Sequence, residues 1–327
     1  MKLRIAVAAA MIICGMTLIM CGCAKDVATD AGMYDEPAGE AGMRRTVLYY
    51  KDDDGFIVPV MKLIPWEEGI GRAAIGNLVD TAENRAEARS RGLNATIPDG
   101  VEYTLRIRDG VATIDISSLS AFADEASERA MVTSIVNSLA EFPTIDAVTI
   151  TLNGEKVTKL PCGTKLSEAM TPFMLNAEDG DVSASADGME PMTLYFANNA
   201  ASLNVPVTRY CAGHGLAAAV EQLIAGPEDA ALMNSFPEGT RLISADIYGG
   251  TATVNLSGEF LSARYTEGMA ETAFDTLFLT ANAIEDISEL NVLVEGKECE
   301  LTRECTAPVY ANTFKKYYCT KEKYGCG

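Results

Sequence analysis

Residues 109–117 read Asp-Gly-Val-Ala-Thr-Ile-Asp-Ile-Ser, and residues 249–257 repeat the pattern as Gly-Gly-Thr-Ala-Thr-Val-Asn-Leu-Ser. In each stretch a two-residue turn signal is followed by alternating apolar and polar residues, the pattern of a half-buried strand that leaves a tight hairpin. A pattern that recurs with its turn and its alternation intact indicates an internal duplication. The fold therefore depends on this repeated hairpin.

The two turns predict how the strands pair. If Asp109-Gly110 forms the turn, three apolar residues before it face three after it, and all of them lie on one face of the hairpin. The predicted pairs are Ile107 with Ala112, Leu105 with Ile114, and Tyr103 with Ile116. In the second copy they are Ile247 with Ala252, Ala245 with Val254, and Ile243 with Leu256. Because the two copies agree, each hairpin is expected to present one apolar face to a helix.

Further matches extend the repeat on both sides of the hairpin. The matched pairs are Leu-Tyr-Tyr at 48–50 with Leu-Tyr-Phe at 194–196, Val-Pro-Val at 58–60 with 205–207, residues 97–100 with 236–239, and 153–155 with 295–297. The spacing between matches drifts, as it does when loops absorb insertions. The longest difference is the polar stretch from Glu83 to Asn94, which has no counterpart in the second copy.

Apolar residues at helical spacing lie between these strands. After the hairpins they are Met131, Ile135, Leu139 and Phe142 in the first copy, and Met269, Ala273 and Leu277 in the second. Before the hairpins they are Ile70, Ala74 and Leu78, and then Leu216, Val220, Leu223 and Ile224, with a stop at Gly226-Pro227. Such spacing predicts amphipathic helices, and glycine followed by proline ends a helix. Each copy then has the order β-β-α-β-β-α-β, an α+β or mixed α/β layer with helices packed on small sheets.

The predicted segments follow from the repeat and from composition. They are a signal peptide at 1–22, a tether at 23–44, domain 1 at 45–160, a linker at 161–191, domain 2 at 192–302 and a Cys-containing tail at 303–327. The stretch from Glu168 to Glu190 is rich in Asp, Ser and Gly, which predicts a flexible connection. The two domains are therefore expected to move independently.

Both copies resemble the GerMN domain, the sporulation and spore germination domain of endospore-forming bacteria. The residues that carry the resemblance lie mainly in the second copy, at 194–196, 223–228, 236–240 and 254–260. The first copy departs from the pattern where Asp80-Thr81-Ala82 replaces Ala-Gly-Pro. The resemblance implies a fold like the ring-building motif of secretion-system rings, a module that associates through protein surfaces. It also implies a role in envelope assembly between mother cell and forespore.

The N-terminus indicates export and anchoring. Lys2 and Arg4 precede an uncharged apolar run that ends at Cys-Gly-Cys, the order of an export signal. Small Gly22 precedes Cys23, which therefore resembles the lipidated cysteine of a bacterial lipoprotein. The alternative is an uncleaved anchor, because the apolar run approaches the roughly 20 residues of a spanning helix. Either reading places the remainder on the outer face of the cell membrane.

Charge excludes one class of partner. The formal net charge is -20, and loss of the basic signal would make the mature chain more negative. Such a field repels nucleic-acid phosphates, so nucleic-acid binding is not expected.

Four cysteines, Cys299, Cys305, Cys319 and Cys326, lie close to the C-terminus. They could form disulfides outside the membrane or stay reduced in an anaerobic host. Their spacing lacks the tight C-x-x-C pair of a structural zinc site, so no metal is predicted.

The sequence predicts no catalytic residue and no cofactor. The single histidine, His214, stands before a predicted helix and is interpreted as a capping or loop residue. Asp52-Asp53-Asp54-Gly55 lacks the alternate ligand spacing of a calcium loop and is interpreted as a solvated strand turn.

Two function classes remain open. In the first, the chain is an interaction module that docks envelope or sporulation-complex proteins, or further copies of itself, and it should expose apolar or edge-strand surface. In the second, it binds a peptidoglycan ligand and should contain a concave pocket with converging polar groups. Duplication multiplies surfaces without creating an active site, which favours the interaction module.

Overall fold

The computed structural model describes residues 42–65, 69–117, 119, 122–178, 188–301 and 310–314. All of them lie within one compact unit, Glu36–Gly327. Within it, the strands of the first repeat recur in the second in the same order and with the same sheet topology. The mixed α+β architecture of two tandem domains that the repeat predicts is therefore confirmed.

The described part of domain 1 contains ten elements. They are β1 (Met43–Asp52), β2 (Ile57–Pro65), α1 (Ile70–Gly76), α2 (Ala82–Arg89), β3 (Leu93–Asn94), β4 (Glu102–Arg108), β5 (Val111–Ser117), α3 (Glu125–Ala140), β6 (Ala147–Leu152) and β7 (Glu155–Lys156). Domain 2 follows the same plan. It contains β8 (Met189–Asn198), β9 (Asn204–Ala212), α4 (Gly215–Ala225), β10 (Leu232–Met233), β11 (Leu242–Tyr248), β12 (Thr251–Leu256), a 3-10 helix (Gly258–Tyr265), α5 (Met269–Ile284), β13 (Glu289–Val294) and β14 (Lys297–Glu298).

Each domain has one three-stranded and one four-stranded sheet. The orders are β2-β1-β3 and β4-β5-β6-β7 in domain 1, and β10-β8-β9 and β11-β12-β13-β14 in domain 2. Strands β5 and β6 run parallel, as do β12 and β13, because a long helix crosses between them. Ala112, Ile114 and Ile116 of β5 are buried, whereas the alternate residues Thr113 and Asp115 are only partly buried. The four-stranded sheet therefore packs on its helices through one face and keeps the other open.

The hairpin register is confirmed in domain 1 and corrected in domain 2. In domain 1 all three predicted pairs are present. In domain 2, Leu256 pairs with Leu242 instead of Ile243, because a β-bulge lies between Leu242 and Ser244. The second copy has one residue more between its Pro-acid-Gly motif and its turn, and the bulge absorbs that residue. Ile243 is consequently 50% exposed.

The long helices are fixed to the three-stranded sheets by the same hydrogen bond in both domains. Ser138 of α3 accepts the backbone N–H of Tyr49 at 3.0 Å, and Thr280 of α5 accepts that of Tyr195 at 3.0 Å. Both hydroxyl-bearing residues are completely buried. The Leu-Tyr-Tyr and Leu-Tyr-Phe motifs thus mark the point where helix and sheet are joined.

The polar stretch without a counterpart in the second copy forms α2. Thr81 caps this helix by accepting the backbone N–H of Asn84 at 3.2 Å. The departure at Asp80-Thr81-Ala82 is therefore a helix start, whereas α1 ends earlier, at Gly76. The turn that follows α2 contributes Arg91, which donates to the carbonyl of Phe314 in the segment after domain 2. Glu87 of α2 pairs with Lys62 within domain 1.

Two asparagines join the domains where the edges of β2 and β9 meet. The side chain of Asn176 accepts the N–H of Ile57 at 2.9 Å and donates to the carbonyls of Ile57 and Pro206 at 2.8 and 2.7 Å. The side chain of Asn312 accepts the N–H of Asn204 at 2.8 Å and donates to the carbonyls of Asn204 and Pro59 at 2.8 and 2.9 Å. Ile57 and Asn204 are equivalent in the repeat, as are the prolines, so the junction has pseudo-two-fold symmetry.

The segments that carry these asparagines pair with the opposite domain. After domain 1, the N–H of Thr208 in β9 donates to Leu175, and Glu178 donates to Thr208, at 3.0 and 3.1 Å. After domain 2, the N–H of Met61 in β2 donates to Asn312, and Phe314 donates to Met61, at 2.8 and 3.2 Å. Each domain therefore supplies a short strand to the edge of the other.

A basic side chain contacts the end of each exchanged segment. Arg209 of β9 forms a buried ion pair with Glu178 at 2.5 Å and also donates to the carbonyl of Gly226 at 2.9 Å. The equivalent residue in domain 1, Lys62, lies 5.3 Å from the centre of the Phe314 ring. The same position is thus stabilised by an ion pair on one side and by a cation–π contact on the other.

These contacts correct the expected mobility of the connection. Up to Glu178, the predicted flexible stretch is hydrogen-bonded first to domain 1, where Asn137 exchanges two bonds with the backbone of Phe173, and then to domain 2. Residues 179–187 lie outside the described residues. The domains are therefore held as one body, and independent movement is not expected.

Replacement of Asn312 by alanine should destabilise the protein. Asn312 is 8% exposed, and its loss leaves the carbonyls of Pro59 and Asn204 without their partner. Buried polar groups that lose a hydrogen bond are costly, so Asn312→Ala should lower the free energy of unfolding by about 2 to 4 kcal/mol. Denaturant titration measures this change. The control is Asn291→Ala, at an exposed position of β13, which should change the free energy of unfolding by less than about 0.5 kcal/mol. Equal effects of the two variants would contradict a stabilising role of Asn312 at the junction.

Candidate interaction surface

The candidates for chemistry that the sequence offers are its one histidine and its cysteines, and those that the structure describes form no metal-binding group. His214 occupies the position before α4, but its side chain makes no capping hydrogen bond. Among the residues that the structure describes, no three His, Cys, Asp or Glu side chains lie close enough together to hold a metal ion. Cys23 and the tail cysteines Cys305, Cys319 and Cys326 lie outside the described residues, whereas Cys299 is buried at the end of β14.

Asp52 differs from the solvated turn residue that the sequence predicts. It is 2% exposed, and its Oδ1 accepts the N–H groups of Asp54 and Phe56 at 3.1 and 2.8 Å, which closes the turn between β1 and β2. Its Oδ2 is buried and has no hydrogen-bond partner among the residues that the structure describes. Burial raises the pKa of the carboxyl, and the backbone donors oppose the shift. Asp53 and Asp54 are exposed, and the Asp53 side chain accepts a hydrogen bond from Asn94 at 2.8 Å.

The second domain closes the same turn with a neutral side chain. Asn198 is equivalent to Asp52, and its Oδ1 accepts the N–H groups of Ser202 and Leu203 at 2.9 and 3.1 Å. The turn thus requires an accepting side-chain oxygen and not a negative charge.

Tyrosines from both domains lie near one carboxylate at the junction. The hydroxyl of Tyr49 donates to Glu141 at 2.6 Å. Burial, with a smaller contribution from Glu141, raises the pKa of Tyr195 to about 12. Burial also raises the pKa of Tyr49. Both phenols therefore stay protonated at neutral pH, and the Tyr49 hydroxyl serves as a hydrogen-bond donor to Glu141.

A shallow groove of about 410 Å³ lies on the 3-10 helix of domain 2, lined by Glu238, Gly258, Glu259, Leu261, Ser262, Arg264 and Tyr265. Its polar groups are mostly engaged with neighbours. Glu259 pairs with Arg241 at 3.0 Å, Ser262 donates to the carbonyl of Glu259, and Arg264 donates to that of Leu261. Glu259, Ser262 and Arg264 therefore make their hydrogen bonds within domain 2.

The free strand edges are the more distinctive surface. Strand β4 begins the order of the four-stranded sheet in domain 1, and β11 begins it in domain 2. Large apolar side chains are exposed along both: Ile107 on β4 is 48% exposed, and Ile243 and Tyr248 on β11 are 50% and 90% exposed. The edge of β4 is regular, whereas the bulge interrupts β11. An unpaired regular edge is a template for another strand.

The family model for sporulation and spore germination, Germane, matches residues 47–158 and 193–300, the same two copies that the repeat defines. The chain belongs to the Germane (GerMN) family. The spore germination protein GerM of Bacillus subtilis is 26% identical over 269 residues, which cover 79% of this chain and 73% of that protein. The solved structure of the tandem GerMN domains of the sporulation protein GerM from Bacillus subtilis has 23% identity and a TM-score of 0.66, and covers 83% of this chain and 99% of its own. This structural likeness establishes a shared fold.

Within the described ranges, no helix has the length and apolar character to cross a bilayer.

The buried carboxyl of Asp52 predicts a measurable pH dependence. Because the pKa is higher in the folded state than in the unfolded state, the folded protein binds the proton more tightly, and the stability due to Asp52 falls as pH rises from about 4 through the folded pKa. Asp52→Asn keeps the accepting oxygen and should remove this decline, so that it is at least as stable as the wild type at neutral pH. Denaturant titrations from acid to neutral pH measure the effect.

The control for this experiment is Asp53→Asn, which removes the same charge from an exposed position of the turn and keeps the oxygen that accepts from Asn94. It should leave the slope of stability against pH unchanged. A variant Asp52→Asn that unfolds more easily than the wild type at neutral pH would show that the carboxylate is required.

Proposed function

We propose that this GerMN protein is a non-catalytic interaction module, anchored at the outer face of the cell membrane, that assembles envelope proteins during sporulation or spore germination. The observation that carries the proposal is the exchange of short strands between the domains. It joins two duplicated domains into one body while each four-stranded sheet keeps a free edge, at β4 and β11. A rigid body with two displayed edges is suited to hold partners in a defined arrangement.

The relatives support the biological setting. The protein from Bacillus subtilis is a spore germination protein by name, and the tandem structure is described as belonging to a sporulation protein. The solved tandem structure has the same pair of domains as this chain.

Anchoring follows from the N-terminal sequence. The basic residues, the apolar run and Cys23 favour a lipid attached at Cys23, and an uncleaved apolar anchor remains the alternative. Either anchor would keep the acidic GerMN body close to the membrane surface, where other envelope proteins are concentrated.

Peptidoglycan binding is the less supported function. The groove on the 3-10 helix displays Tyr265, which is 84% exposed, but Glu259, Ser262 and Arg264 already have partners within domain 2.

Function can be tested by complementation. The chain is expressed in a Bacillus subtilis strain that lacks its spore germination protein GerM, and germination and heat-resistant spores are counted. We expect partial or full restoration by the wild type. Asn312→Ala, which opens the junction, should restore less than the matched Asn291→Ala. Failure of the wild-type chain, when it is produced and exported at normal levels, would contradict the proposed function.

Anchoring requires a separate measurement. Cys23→Ala should move the protein from the membrane fraction to the soluble extracytoplasmic fraction, and mass spectrometry should find diacylglycerol on Cys23 of the wild type. Cys21→Ala is the matched control and should remain in the membrane fraction. Membrane retention of Cys23→Ala would indicate the uncleaved anchor instead.

A further inference from the structure

The free edge of β4 offers unpaired backbone groups at alternate residues. The two-residue turn at Asp109-Gly110 makes Arg108 and Val111 a hydrogen-bonded pair, so Glu102, Thr104, Arg106 and Arg108 bond to β5. The N–H and C=O groups of Tyr103, Leu105 and Ile107 consequently point away from the sheet. Among the described residues, none forms a backbone hydrogen bond to those groups.

The sequence of β4 is complementary to itself when a second copy runs antiparallel beside it. If Leu105 faces Leu105 of the second copy, Tyr103 faces Ile107 and Thr104 faces Arg106. Glu102 then faces Arg108 at both ends of the pair. Opposite charges directly across an antiparallel pair are stabilising, and so is an aromatic residue opposite a β-branched one.

The backbone pattern fits this register as well as the side chains. The residues whose backbone N–H and C=O groups point away from β5 are Tyr103, Leu105 and Ile107. In the proposed register these same residues lie opposite one another across the two-fold axis. Each donor in the free edge of one copy therefore meets an acceptor in the other. Ile107, which is 48% exposed, gains cover from Tyr103 of the second copy.

The equivalent edge in domain 2 does not have these properties. Strand β11 is interrupted by the bulge between Leu242 and Ser244. In the same register centred on Ala245, Ser244 would face Asp246, β11 itself contains no cation, and Arg241 before it would face Gly249. The charged residues of β4 are thus not a general feature of the repeat.

We propose that the chain forms a two-fold homodimer in which β4 pairs antiparallel with β4 of a second copy, centred on Leu105 and closed by ion pairs between Glu102 and Arg108. The two four-stranded sheets become one continuous sheet, with the helices of both copies on the same face. The contact is isologous and closes after two copies, so it leaves β11 free. This inference rests on the proposed function, in which it names one partner of the module as the chain itself.

A membrane anchor favours such a contact. Tethering raises the effective concentration of the second copy, so a strand pairing that is weak in dilute solution becomes populated at the membrane surface. Exposed ion pairs are screened by salt, so the dimer should weaken as salt increases.

The test is a charge reversal followed by mixing. Sedimentation velocity on residues 36–327, the compact unit that carries the fold, is run from micromolar to millimolar concentration. The wild type should dimerise reversibly. Glu102→Arg places arginine opposite arginine, and Arg108→Glu places glutamate opposite glutamate, so each single variant should dimerise at least about tenfold more weakly. An equimolar mixture of the two variants restores both ion pairs and should form a heterodimer.

Two further variants complete the test. The double variant with Glu102→Arg and Arg108→Glu should dimerise like the wild type, which excludes misfolding as the cause of the single effects. Asp246→Arg on β11 is the matched control and should leave the wild-type dimer unchanged. A wild type that is monomeric at every concentration, a dimer indifferent to the single reversals, or a mixture that stays monomeric would overturn the proposal.

The dimer and the proposed function can fail separately. A monomeric wild-type chain that still complements the Bacillus subtilis strain would overturn the dimer alone. A chain that dimerises as described but does not complement would contradict the proposed function alone.

Discussion

The exchange of asparagine hydrogen bonds between the edges of β2 and β9 is the constraint on which the arrangement of this protein depends. Pro59 lies in β2 and Pro206 in β9, at positions that face the opposite domain. Proline has no backbone N–H group, so the two edges cannot form a regular strand pair at these positions. Asn176 and Asn312 supply the missing donors from outside the strands. The repeated Val-Pro-Val motif is therefore not only a strand; it is the position at which one domain recognises the other.

This junction determines which surfaces the protein displays. The edges of β2 and β9 are covered by segments 175–178 and 311–314, so they are not available to partners. The open edges of the four-stranded sheets remain, and their differences follow from one additional residue, which produces the bulge in β11. Duplication thus created two surfaces of the same origin, of which only that of β4 kept a regular edge. An interaction module with distinct contacts on its two domains is the function that this asymmetry supports.

Local chemistry explains what the sequence could predict. Asp109-Gly110 specifies a hairpin by itself, since its φ values of 50° and 77° suit the turn, and the register of β4 and β5 follows. The contacts of Asn312 could not be predicted, because they join it to residues as far as 253 positions away. Composition suggested a flexible linker where Asn176 in fact bonds both domains. The alternating charges of β4 are visible in the sequence, but only the sheet order shows that this strand lies at an edge.

Native-state hydrogen exchange at the junction tests the central claim, that the two GerMN domains form one body, most directly. The N–H groups of Ile57, Met61, Asn204 and Thr208 all donate across or beside the junction, to Asn176, Asn312 and Leu175. The account predicts that these amides are strongly protected and that they exchange with one common free energy of opening, since they are released together. Rapid exchange of all four, as in a flexible hinge, or exchange with unrelated free energies would contradict a single rigid junction.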